Sequence, residues 1–201
     1  MKQIHRITGI IVSVFIVAHL FNHGMAYFGI ETHQAILNSL RKVYRIPIIE
    51  FFLVSAFTFQ SISGIRLFFK LRKKETNTSL EKLKMYAGLV LGLFLLQHIP
   101  ATIGMRWFYQ FDTNFHFAAR VVIQEPWLYY FIPYYFAGIM AFAIHVAAIH
   151  REKVTKFVSP PQATFHFYGI LFFFFLVAML ILFNLTGVFY EIEIPSQYNV
   201  Y

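Results

Sequence analysis

The sequence predicts an all-α integral membrane protein of five transmembrane helices, and three observations predict it. Of 201 residues, 58% are hydrophobic and only 13% charged, too little charge to cover a soluble domain of this size. Stretches free of Asp, Glu, Lys and Arg run over 7–30, 51–65, 85–105, 126–150 and 157–190, most of them as long as a bilayer core demands. The basic residues gather between these stretches, at helix ends.

The first span is expected over about 6–28. It is too long for a signal peptide and lacks a small-residue cleavage site, so a retained helix is expected. Residues 33–44 carry Ile36, Leu37, Leu40 and Val43, a spacing that suits a short helix on the membrane surface. The second span is extended to 46–70, because Glu50 and Arg66 sit near its ends and can snorkel. The third covers about 85–104 and the fourth 127–150; Trp107, Trp127, Tyr129 and Tyr130 fall where these two meet one face, as interfacial aromatics do. Pro160 and Pro161 precede the fifth span, at 163–190, where proline is tolerated. No Pro- or Gly-rich linker divides the chain, so 1–201 reads as one domain.

The net charge of +8 does not point to nucleic acid, because its distribution reads as topology. With the N-terminus inside, Lys2, Arg6, Arg66, Lys70, Arg72, Lys73, Lys74, Lys82, Lys84, Arg151, Lys153 and Lys156 lie inside, 12 of the 17 basic residues. Arg41, Lys42, Arg45, Arg106 and Arg120 lie outside. This excess predicts an N-inside, C-outside orientation. The absence of cysteine excludes disulfides, iron–sulfur clusters ligated by this chain and covalently attached c-type haem.

A short internal repeat carries the chemistry. Gly9 precedes His19 by ten positions in the first span, and Gly88 precedes His98 by ten in the third. In the second span Gln60 lies six positions before Arg66, and in the fourth His145 lies six before Arg151. Spans one and two thus resemble three and four. Helical rise places His19 and His98 roughly 20 Å from the inner edge and Gln60 and His145 at roughly 9 Å, so two polar layers are expected. Polar groups are expensive against lipid and turn to the bundle interior. Two histidines at equal depth on non-adjacent helices can clamp a flat macrocycle, each giving one nitrogen to the iron, and the small residues Gly9, Ala18, Gly88 and Gly92 would let a large ring approach the backbone. Haem b held by His19 and His98 is therefore expected, with the first four helices as the haem-binding bundle. Structural pairing of the histidines, or a proton or ion path, are the alternatives.

His5-Arg6-Ile7-Thr8-Gly9 resembles the His-Arg-x-(Ser/Thr)-Gly motif of cytochrome b subunits of succinate dehydrogenase and fumarate reductase, and the segment from Phe59 to Arg66 resembles that superfamily's aromatic-His-x-x-x-Gly-Ile-Arg haem motif. The likeness spans about residues 2–151 and fits the single-chain, five-helix type. It implies an outer haem on His19 and His98, and an inner haem on the second-helix position and His145. Here that position is Gln60, a poor iron ligand. One haem is therefore expected, with Gln60 hydrogen-bonded inside the bundle, its nearest candidate partner being His145.

The resemblance further implies quinone as membrane substrate and separate flavoprotein and iron–sulfur subunits docking on the inner face, in the bacterial cytoplasmic membrane rather than the mitochondrial inner membrane. His5, Arg6 and Thr8 could lie near an inner quinone pocket, with Arg6 as a snorkelling anchor the plainer role. His23, one turn beyond His19, would handle protons at a competing outer site. His116, Asp112 and Glu125 read as surface loop residues, and His33, His150 and His166 as interfacial. Two other functions stay open: a free-standing cytochrome b exchanging electrons with quinone, and a haem-free scaffold or transporter.

Overall fold

The computed structural model describes residues 2–74 and 78–199, all of whose regular secondary structure is helical. The side chain of Lys2, counted above among the inner cations, and Tyr201 lie outside the described part. Seven α-helices follow in order: α1 Lys2–Gly24, α2 Ile30–Tyr44, α3 Pro47–Leu71, α4 Ser79–Tyr109, α5 Phe115–Ile123, α6 Leu128–Val154 and α7 Pro160–Leu185. Five of them, α1, α3, α4, α6 and α7, are long and apolar enough to cross a bilayer. Ile10, Val14, Val17 and Phe21 of α1, and Phe165, Phe172 and Leu176 of α7, are exposed. Apolar stripes of this extent are stable against lipid and not against water.

The third span starts at Ser79, earlier than expected, because Thr78 and Glu81 form a reciprocal capping box that satisfies the first turn's donors. The fifth starts at Pro160 behind a Ser159–Gln162 capping box, and ends at Leu185 rather than near residue 190, two residues before Gly187 at φ 78°. Beyond it the chain returns across the bundle end, tied by Tyr190 Oη to the Ala26 carbonyl (2.8 Å) and Tyr198 Oη to the Asp112 carbonyl (3.0 Å).

The spans form a ring. The helix α3 packs on α1 and α4, α6 packs on α4 and α7, and α7 returns to α1. Apolar chains gain little by leaving lipid for one another, so helices associate through close packing of small residues. Ala147 and Ala148 of α6 are fully buried in one cluster with Phe167 of α7. The helices α1 and α4 stand across the ring, with no backbone contact between their described residues. Arg66, Arg72, Lys84 and Arg151 mark one end of the ring, here the basic end. The helices α2 and α5 cover the other, the cap end.

A candidate cofactor site

The space between α1 and α4 is a cavity of about 250 Å³. His19 enters it from α1 and His98 from α4, with ring centroids 6.2 Å apart and planes at 67°. Phe15, one turn before His19, stacks on its ring at 5.9 Å, and Phe94, one turn before His98, stacks on its ring at 5.0 Å. Such i, i+4 pairs lie on one helix face, so each imidazole is braced by its own helix. Phe94 also packs into the space that a side chain at Gly138 would need; a Cβ there would come within 2.4 Å of its ring.

The cap end adds groups that the sequence reading set aside. His33, read as interfacial, is buried and lines the cavity. A short 3-10 turn over Met25–Phe28 and Gly29, at φ 111°, fold α2 back over the cavity mouth; that backbone state is open to glycine and strained for other residues. Asn22 Nδ2 donates to His33 Nε2 at 3.1 Å. The His33 ring lies 5.1 Å from His23, and His23 lies 4.6 Å from His19. Asn22 Oδ1, His23 Nδ1 and His33 Nδ1 are buried without a hydrogen-bond partner. Burial pushes the His33 imidazole down to about 4, with neighbouring His19, Arg41 and His116 adding to the shift. His23 thus lies between His19 and His33. No residue spacing marks His33 or Asn22 as its companions.

The inner polar layer is built differently from the expectation. Gln60 does hydrogen-bond inside the bundle, but its partner is α1 rather than His145: Nε2 donates to the His5 carbonyl and to Thr8 Oγ1, the latter at 2.8 Å. His145 Nδ1 donates instead to the Lys84 carbonyl of α4 at 3.0 Å. The two glycines of the repeat explain this. A Cβ on Gly9 would lie 2.9 Å from Gln60 Nε2, and a Cβ on Gly88 would lie 3.0 Å from the His145 ring. Each glycine seats the polar side chain of the next span, so the repeat is one of helix pairs, α1 with α3 and α4 with α6. Gly9 and Gly88 thus admit protein side chains, not a macrocycle. Gly92 packs against Ile65 and the Ser61 carbonyl.

The other residues suggested for an inner quinone pocket divide. His5 Nδ1 shares a hydrogen bond with Ser63 Oγ at 2.7 Å, Thr8 Oγ1 donates to the Ile4 carbonyl at 2.9 Å, and Arg6 is exposed. None of His5, Thr8, Gln60 and His145 borders the His19–His98 cavity. His150 and His166 face each other at 3.2 Å between α6 and α7.

No family model, curated protein or solved structure matches this chain. The reading of the site therefore rests on its own geometry. Among the described residues no three His, Asp or Glu side chains converge as a metal-ion site. An iron already held in a porphyrin needs only two axial donors, and two bonds of about 2 Å plus about 1 Å from each nitrogen to its ring centre require centroids about 6 Å apart. The 6.2 Å separation of His19 and His98 meets that requirement. Gln60 and His145, each bonded to its neighbouring helix, offer no such facing pair.

Proposed function

We propose that this chain is a haem b-carrying membrane anchor that passes electrons between a soluble flavin and iron–sulfur dehydrogenase, of the succinate dehydrogenase or fumarate reductase kind, and membrane quinone. The observation that carries the proposal is the pair His19 and His98, from two helices whose backbones do not approach each other, at iron-bridging separation across one cavity. Bound there, the haem supplies a one-electron carrier whose potential follows its ligands and burial. The chain's own residues do the rest. Phe15 and Phe94 fix the two rings, Phe57 and Leu95 keep the cavity floor apolar, and the polar pairs at Gln60 and His145 leave room for one haem rather than two.

The quinone site fits the cap side better than the basic end. Asn22, His23 and His33 hold unpartnered polar atoms beside the cavity, whereas His5 and Thr8 are already bonded to α3 and within α1. Of these, His23 and His33 can also carry a proton. The basic end is then the inner face and the docking side for the soluble subunits, in the bacterial cytoplasmic membrane; a reporter fused after Tyr201 should register outside the cytoplasm.

The deciding experiment is a reduced-minus-oxidised absorption spectrum of the pure chain with a haem count. One low-spin haem per chain is expected. A colourless protein would sink the proposal in favour of a haem-free scaffold or transporter. Co-purification tests the second half: flavin and iron–sulfur subunits should accompany the chain, and a haem protein that always purifies alone would be a free-standing quinone-linked cytochrome b.

A further inference from the structure

The cavity is polar at one end only, and the charge at that end does not balance. Along α4, Leu91 and Leu95 line it on the basic side of His98, while Thr102 and Arg106 line it on the cap side. Arg45, between α2 and α3, lines the same cap-side wall. Arg106 is paired with Glu50, and Arg41 with Asp112 at 2.8 Å. Arg45 has no carboxylate partner among the described residues: one of its terminal nitrogens donates to the neutral Thr113 Oγ1 at 3.2 Å, and its Nε is buried without any acceptor. Burial, and then the neighbouring Arg41, hold the Arg45 guanidinium below its ordinary range. Asp112 offsets this only in part and forms its ion pair with Arg41; a half-buried guanidinium with an unpaired Nε is costly, and that cost is relieved when an anion arrives.

We propose that Arg45 is the anchor for a carboxylate of the group held between His19 and His98, so that the cavity takes a porphyrin with free acid side chains, in one orientation, its acid edge toward the cap end. This rests on the haem reading above and adds what that reading does not specify. An occupant that is anionic at one edge and apolar at the other matches this lining. Arginine suits the task because its planar fork matches a carboxylate with two parallel hydrogen bonds. Arg106 lies eight residues beyond His98, about 12 Å along the axis, and helical side chains lean back toward the N-terminus. Glu50 already neutralises its guanidinium, so of the two cations that line the cavity Arg45 is the one outside an ion pair.

The test compares two ligands on an unaltered chain. The full chain, produced without haem and held in detergent, is titrated with iron protoporphyrin IX and with its dimethyl ester, which keeps the ring and iron and removes both negative charges. Affinity is read from the low-spin absorption band, and the midpoint potential from a redox titration. The diacid should bind about tenfold or more tighter than the ester, the range of one charge-assisted hydrogen bond. In Arg45→Gln most of that preference should vanish while the low-spin band remains, and Arg45→Lys should restore part of it. Equal affinity of the two ligands for the wild-type chain would overturn the anchor and leave the histidine pair standing. Failure of both ligands to give a low-spin band would overturn the haem reading and the anchor with it.

Discussion

The two halves of the bundle use the same kinds of residue to opposite ends. In the basic half, Gln60 is bonded to α1, His5 to Ser63 and His145 to the Lys84 carbonyl, and only Arg151 Nε is left there without a partner among the described residues. In the cap half, the histidines surround open space, and Asn22, His23, His33 and Arg45 each keep a buried polar atom without a partner. A buried polar group left unpaired costs about 1–3 kcal/mol. The hydrogen bonds of the basic half therefore contribute stability, and the cap half carries most of the unsatisfied groups. The difference separates a structural histidine from one available for chemistry better than depth in the membrane does.

The largest effect should come from the cavity. His19→Ala or His98→Ala should remove the low-spin haem signal almost entirely, whereas His145→Ala should keep it, and the haem content of the three purified variants checks this. A low-spin signal surviving in both cavity variants would erase the contrast between the halves.

Next comes the pH dependence from His33. Its pKa is depressed to about 4 in the folded chain and is about 6.5 when unfolded. Between those values the unfolded state binds more protons, so stability is fully present above pH 6.5 and falls as pH drops toward 4. The loss is on the order of 2–3 kcal/mol. Thermal unfolding of the detergent-solubilised chain should show a slope in this window that His33→Gln flattens; an unchanged slope in the variant would locate the titration elsewhere.

Smaller effects sharpen the account of the basic half. Gly88→Val should destabilise by about 1–3 kcal/mol through overpacking, because its Cβ meets the His145 ring at 3.0 Å. Gly9→Val should cost less, since it meets the movable end of Gln60. Gln60→Ala should lose about 1–2 kcal/mol with its hydrogen bonds to α1, and Gln60→His should add no second low-spin haem. Smallest of all, Lys84→Met breaks the pair with Glu152. Both side chains are partly solvated, so denaturation midpoints should register about 1 kcal/mol or less.

Much of this architecture is written in the sequence. The bilayer requires each spanning segment to be uniformly apolar, so five spans follow from composition along the chain. A helix advances a fixed rise per residue, so the common level of His19 and His98 and the common level of Gln60 and His145 follow from counting. Counting cannot give the partner across a helix interface, because that depends on the rotation of each helix about its axis. It is for this reason that Gln60 and His145, expected at one level, bond to different helices. Nor does local sequence show where a surface helix lands: His33 reads as interfacial, and only the turn at Gly29 and the packing of α2 against α1 bring it into the cavity. The cations Arg41, Arg45 and Arg106 look alike as topology signals in the sequence. The fold pairs two of them with Asp112 and Glu50 and leaves Arg45 without an ion pair among the described residues, and those pairs join residues separated by more than 50 positions. Hydropathy and helical rise are local properties that a single chain specifies; the partners of buried polar groups are set by helix rotation and loop closure, which only the packed bundle decides.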